Sequence, residues 1–300
     1  MIPYDEFSMF RDNATEVGLA FDAEPVVRRT SAELEDGRHL SALVWGEGDP
    51  DMVLIHGGAQ NAHTWDTVAL ALGRPLVAID LPGHGHSGPP KAGAANVEQN
   101  SIDVAAAIRI LAPGVPAIVG MSLGGLTSMT IAGQSPDLVH KLVLVDITPG
   151  VNREKAAAIA AFVNGPESFD SFEDLLARTI EHNPTRTESS LRRGILHNAE
   201  QRPDGTWVWR HARHRVFDEQ TGEQNRDHSG LWNVVSDLGS REVPTMLVRG
   251  MREQSVVDDA DEAEFLRRHP TAIVERVIEA GHSVQGDQPL ELARLLNAFL

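Results

Sequence analysis

The sequence predicts an α/β fold: a mainly parallel central sheet with helices on both faces and a helical cap inserted between two of its strands. Three observations predict it. Short, wholly apolar runs (Met52–Ile55, Leu76–Ile79, Ala117–Val119, Leu142–Val145) alternate with stretches of helical spacing. That is the pattern of βαβ units whose strands are buried on both sides. The alternation breaks after Pro149 and resumes near Thr245, leaving a stretch of helical segments and polar turns with no clear buried strand. Finally, 300 residues with a 41% hydrophobic fraction supply an ample core. The expected organisation is a body made of residues 1–149 and 227–300, with residues 150–226 as the cap.

In chain order, Asp5–Ala20 reads as a loose amphipathic helix carrying Phe7, Phe10, Val17 and Leu19, a strap over the body. Val26–Leu34 and His39–Trp45 alternate in polarity around Asp36-Gly37, a strong hairpin signal. After the strand Met52–Ile55 comes His56-Gly57-Gly58, then helical spacing over Asn61–Leu72. Leu76–Ile79 leads into Asp80-Leu-Pro-Gly-His-Gly-His-Ser-Gly88, and a helix is expected over Val97–Leu111. Ala117–Val119 runs into Gly120-Met121-Ser122-Leu123-Gly124 and a helix that Ser135-Pro136 stops near Gln134. Leu142–Val145 ends at Asp146. Cap helices are expected at Ala156–Val163, Phe172–His182 and Ser189–His197. The body then continues with a strand at Thr245–Val248, a helix at Asp259–Arg268, a strand at Ile273–Ile278, a loop holding His282, and a last helix at Leu290–Leu300.

Net charge is −17, and an acidic surface repels nucleic acid and anionic lipid, so neither is an expected partner. There are no cysteines, which removes disulfides, thiolate nucleophiles and Cys-ligated metals and fits a reducing cytoplasm. The first residues lack a basic region followed by an apolar stretch, so no secretory leader is expected. No apolar run approaches the ~18–20 residues of a membrane span. A cytoplasmic location is the expectation.

Gly120-x-Ser122-x-Gly124 between a strand and a helix is the setting of a nucleophile elbow. The serine occupies so sharp a turn that side chains two positions either way would collide, and glycine removes the collision. The turn lifts the hydroxyl over the sheet edge, facing the positive end of the following helix. A serine needs a base to take its proton. His282, on the loop after the last strand, meets that need, and Gly281 lets the chain turn close by. Of thirteen histidines, His56, His84 and His86 sit in Gly-rich turns and read as structural. His211-x-x-His214 has metal-like spacing, but arginines surround it and no carboxylate adjoins, so no metal is expected. A tetrahedral oxyanion needs two donors, expected from the backbone N–H of Leu123 and of Gly58.

His56-Gly57-Gly58, the Asp80–Ser87 loop, Gly120-Met-Ser-Leu-Gly124 and Gly281-His282 together resemble the α/β-hydrolase superfamily. The longer segments Val119–Thr127, Leu142–Pro149 and Gly281–Pro289 resemble a group of mycobacterial-type serine esterases. The similarity runs from about Val26 to the C-terminus. It implies ester hydrolysis through an acyl-enzyme without a cofactor, on a small-molecule ester and water. The acid departs from the superfamily's usual Gly-x-x-Asp after the seventh strand, where this chain has Gly250-Met-Arg-Glu253. Asp146 is preferred over Glu253: an unbroken apolar strand fixes it at the catalytic edge, the Ile147-Thr-Pro149 turn holds it there, and the esterase group with a matching segment resembles using it.

The expected activity is therefore a serine carboxylic-ester hydrolase for small to medium apolar esters. Lactonase, thioesterase and carbon–carbon hydrolase chemistry use the same parts, and a non-catalytic ligand receptor is the rival from another class. Phe162, Phe169, Phe172, Trp207, Trp209 and Trp232 are candidate pocket walls.

Overall fold

The computed structural model describes residues 4–92, 96–114, 117–151, 154–211 and 228–300. Position 214 and the end of the expected cap, 212–226, lie outside them. The body opens with α1 (Phe10–Glu16), the hairpin β1 (Val27–Glu33) and β2 (His39–Trp45), then β3 (Met52–Ile55), α2 (Asp66–Leu72), β4 (Leu76–Ile79) and α3 (Val97–Leu111). It continues with β5 (Ala117–Met121), α4 (Leu123–Gln134) and β6 (Leu142–Val145). Next come α5 (Ala157–Val163), β7 (Ser168–Phe169), α6 (Phe172–His182), α7 (Glu188–Asn198), β8 (Ala199–Gln201) and β9 (Trp207–Trp209). The body resumes with α8 (Leu231–Ser240), β10 (Thr245–Gly250), α9 (Asp259–Arg268), β11 (Ile273–Val277), α10 (Val284–Asp287) and α11 (Pro289–Phe299).

The main sheet runs β1-β2-β4-β3-β5-β6-β10-β11. Only β2 runs against its neighbours; from β4 to β11 every pairing is parallel. The central strands are apolar throughout because both faces are covered. In β3, Val53 and Ile55 enter one core, packed under α3, α4, α8 and α9, while Met52 and Leu54 enter the other, under α1, α2, α10 and α11. The same alternation divides Leu142 and Leu144 from Val143 and Val145 in β6. Each fully buried side chain of this size contributes roughly 1.5–3 kcal/mol relative to exposure. A slip of one residue would exchange the two cores, so register is firmly set.

Four differences from expectation stand out. The segment read as all-helical also holds a three-stranded antiparallel sheet, β7-β9-β8. It has its own core of Phe169, Phe172, Leu175, Leu191, Ile195 and Trp207. Asn61–Leu72 divides into a 3-10 turn at Ala62–Trp65 and α2, and the sequence reading passed over α8. The N-terminal strap is shorter as a helix than its apolar spacing suggested, yet it touches both layers. Phe10 packs on Trp45 of the body at 4.9 Å between ring centroids, while Asn13 and Glu16 bond Arg193 of α7.

Candidate active site

Parallel strands deliver their C-terminal loops to one sheet edge, where open α/β sheets bind ligands. Here β3 delivers Gly57-Gly58, β5 delivers Ser122, β6 delivers Asp146, and β11 leads to His282. Ser122 has φ 50° and ψ −117°, a strained conformation for a residue with a Cβ. Its N–H bonds Val145 O at 3.3 Å, tying the turn to the end of β6. Glycine is required on either side: a Cβ at Gly120 would lie 2.5 Å from Gly124 O and from Ser128 Oγ, and one at Gly124 would strike Ile55 O.

Asp146 is fully buried and also sits at positive φ, 48°. Its Oδ1 accepts from Gly250 N at 2.9 Å and Ser255 Oγ at 2.6 Å. Its Oδ2 accepts from Val256 N at 3.0 Å and pairs with His282 Nδ1 at 2.9 Å. The β6–β10 pairing makes this possible, because it sets the end of β6 beside the loop after β10. Glu253 lies in that loop but is exposed, with one long bond from Gln254 Nε2 at 3.4 Å. The fold therefore brings Asp146, not Glu253, to the imidazole.

Ser122 and His282 line one cavity of about 730 Å³. No hydrogen bond joins the Ser122 hydroxyl to His282 among the described residues; such bonds commonly tighten only with substrate bound. Leu123 opens α4, so its N–H has no partner within the helix. In the Gly57–Gln60 turn, Gly57 N bonds Gln60 Oε1 at 3.2 Å, Ala59 N bonds His84 Nε2 at 3.3 Å and Gln60 N bonds Gly57 O at 3.3 Å. Gly58 N is the donor left over, and a Cβ on Gly58 would stand 3.9 Å from Leu123 Cδ2. Neither expected oxyanion N–H has a hydrogen-bond partner among the described residues, and the Leu123 side chain lies beside Gly58. Gln285 of α10 bonds Gln60 Oε1 at 3.4 Å and Thr64 Oγ1 at 3.3 Å, linking this turn to the His282 loop.

The aromatic candidates separate. Phe162 and Trp209 line the cavity, their rings 5.7 Å apart. Phe169, Phe172 and Trp207 instead fill the core under β7–β9, and Trp232 packs on the body with Arg268 over its face. For those four the expectation of a pocket wall is corrected; burial among apolar neighbours was available to them, and they took it.

The chain matches a model for the alpha/beta hydrolase fold over residues 50–289. The chain belongs to the α/β-hydrolase fold family. It is 41% identical over 303 residues to esterase Rv0045c of Mycobacterium tuberculosis, covering 99% of this chain and 96% of the relative. A solved structure of that esterase superposes with a TM-score of 0.85 at 41% identity over 99% of both chains. A mouse sn-1-specific diacylglycerol lipase, ABHD11, is 26% identical over 271 residues, 84% of this chain and 81% of that one. Family and relatives together place this α/β-hydrolase among the esterase-type hydrolases. No helix among the described residues is long and apolar enough to cross a membrane.

Sequence reasoning missed a charged network beside the site. Glu6 of the strap pairs with Arg29 at 2.5 Å and with His63 Nε2 at 3.1 Å; Arg29 also pairs with buried Asp80 at 2.9 Å. His63 Nδ1 bonds Asp66 at 2.9 Å. Its ring stacks on that of His197 of α7 at 3.9 Å and 12°. His63, Asp66 and His197 bring donor atoms within 4.8 Å of one another. Stacked rings, however, send their in-plane lone pairs along parallel lines rather than to one point, so this geometry does not coordinate an ion. Burial alone would lower the His63 pKa, but Asp66 and Glu6 outweigh it and the pKa rises to about 9. A raised histidine pKa stabilises the fold fully below the unfolded value of about 6.5 and loses that contribution as pH rises through about 9. Thermal melts between pH 6 and 10 should therefore show stability falling on the alkaline side, with the fall reduced in His63→Gln. Equal alkaline slopes for both proteins would contradict the assignment.

Proposed function

We propose that this chain hydrolyses carboxylic esters through an acyl-enzyme, with Ser122 as nucleophile, His282 as base and Asp146 as the acid that orients it. His282 takes the Ser122 proton as Oγ attacks the ester carbonyl. The backbone N–H groups of Leu123 and Gly58 stabilise the oxyanion, each worth about 3 kcal/mol in comparable sites. The imidazolium gives its proton to the departing alcohol, leaving Ser122 acylated. Water, deprotonated by His282, then attacks the acyl carbon; the acid leaves and Ser122 regains its proton. Asp146, held by three donors besides the imidazole, fixes the ring and stabilises its charged form. We take residues 150–226 as the cap that closes the site, with Phe162 and Trp209 against the substrate.

The observation that carries this reading is the Asp146–His282 bond at 2.9 Å on a histidine that shares a cavity with the strained Ser122. The relative named an esterase supports the same chemistry. The test is kcat/KM for purified protein on matched esters, thioesters and lactones. Esters should be turned over fastest. Faster thioester or lactone turnover would reassign the substrate class, and binding of all three without turnover would make the chain a receptor.

A further inference from the structure

Arg186 lies in the turn between α6 and α7 and lines the cavity that holds Ser122 and His282. Its guanidinium donates to Ser190 Oγ, a neutral acceptor. Among the described residues no carboxylate stands within ion-pair distance of it. Its neighbours differ: Arg193 pairs with Glu16, Arg192 with Glu173 and Glu188, and Arg210 with Glu200. Asp287 is the one acid whose charge is felt at Arg186, and both its oxygens are engaged. Oδ1 accepts from Thr185 Oγ1 at 2.9 Å and Oδ2 from Gly281 N at 2.8 Å.

The guanidinium lies against α10, the helix that follows His282. A Cβ on Gly286 would fall on Arg186 Nη1, so the glycine makes room for it. Burial pulls the Arg186 pKa down while Asp287 opposes. Arginine nonetheless stays charged at any working pH. A partly desolvated cation with no carboxylate in contact, and only the already engaged Asp287 nearby, is an unfavourable arrangement that a bound anion relieves. Gln254 and Gln285 also line the cavity, each with a buried Oε1 that has no partner among the described residues; those oxygens call for a donor such as a hydroxyl or water, not for the anion itself. This part of the cavity is built for a polar group rather than for the apolar chain that the aromatic residues suggested.

We propose that Arg186 anchors a carboxylate on the substrate, so that the preferred substrates are half-esters: esters carrying a free carboxylate on their acyl or alcohol portion. A carboxylate matches the planar guanidinium fork and can take two parallel bonds from it. The inference rests on the ester-hydrolase reading and deepens it by naming a substrate class.

The test compares monomethyl glutarate and monomethyl adipate with their dimethyl esters, followed by pH-stat. Wild type should favour the half-esters. In Arg186→Gln the ratio of kcat/KM, half-ester over diester, should fall about 10- to 100-fold. Arg186→Lys, which keeps the charge but not the fork, should retain part of the preference. A ratio within threefold of wild type in Arg186→Gln would overturn the proposal. If wild type hydrolyses neither ester, the hydrolase reading fails and the anion site is read separately, by calorimetric titration with glutarate and with inorganic phosphate. Glutarate binding that is lost in Arg186→Gln supports the carboxylate site. Binding unaffected by the substitution, no binding, or binding of phosphate alone overturns it.

Discussion

Ser122→Ala should leave a folded protein whose kcat on esters is lower by about six orders of magnitude, the loss seen when a serine hydrolase loses its nucleophile. The side chain stands over the sheet edge and its hydroxyl makes no hydrogen bond among the described residues, so truncation opens no core cavity. The strained backbone at φ 50° is set by the Gly120 and Gly124 approaches and by the bond to Val145 O, all of which alanine keeps. Circular dichroism and the melting temperature should stay close to wild type. Turnover within a few fold of wild type would remove Ser122 from the mechanism.

Asp146→Asn should lower kcat by about 10⁴ at neutral pH, the cost of losing the orienting acid in the serine-protease precedent. An amide at 146 could satisfy the donors on only one of its two ends. Its NH2 would face either Gly250 N and Ser255 Oγ or Val256 N and the imidazole. A buried donor left unsatisfied costs roughly 1–3 kcal/mol, so the variant should also melt earlier. Activity must therefore be read well below its melting temperature. Glu253→Gln, at an exposed position, should stay within about tenfold of wild type. The reverse pattern would move the acid to Glu253.

Elements with a regular pattern of burial were the legible ones. Leu142–Val145 and Val97–Leu111 have the bounds their patterns suggested, because apolar runs and helical spacing report burial directly. The small sheet was not legible, since strands of two or three residues carry too little alternation to register. Trp207 and Trp209 show what was lost. Two positions apart on β9, they share one side of the strand: Trp207 is buried in the small core, while Trp209 packs against that core half-buried and lines the cavity. The helix α8 was obscured by Ser236, Gly239 and Ser240 within it.

At the site, the elbow, the Gly57-Gly58 turn and the His282 loop each carry a local glycine signal. The Glu6–Arg29–His63–Asp66 network carries none, because its members come from distant parts of the chain and polar residues there read as ordinary surface. The positive φ of Asp146 was equally invisible, since an aspartate after an apolar strand is unremarkable in sequence. Arg186 in isolation reads as one more solvated cation; only the cavity and the lack of a contact ion pair among the described residues distinguish it.

The most direct test of the account is covalent labelling of the native protein with a fluorophosphonate, which reacts with a serine made nucleophilic by its neighbours. Peptide mass spectrometry should then find one phosphonylated residue, Ser122, with labelling lost in Ser122→Ala and slowed strongly in Asp146→Asn. No adduct on the native protein, or an adduct on a different residue, would contradict the claim that Ser122 is the nucleophile of an ester hydrolase.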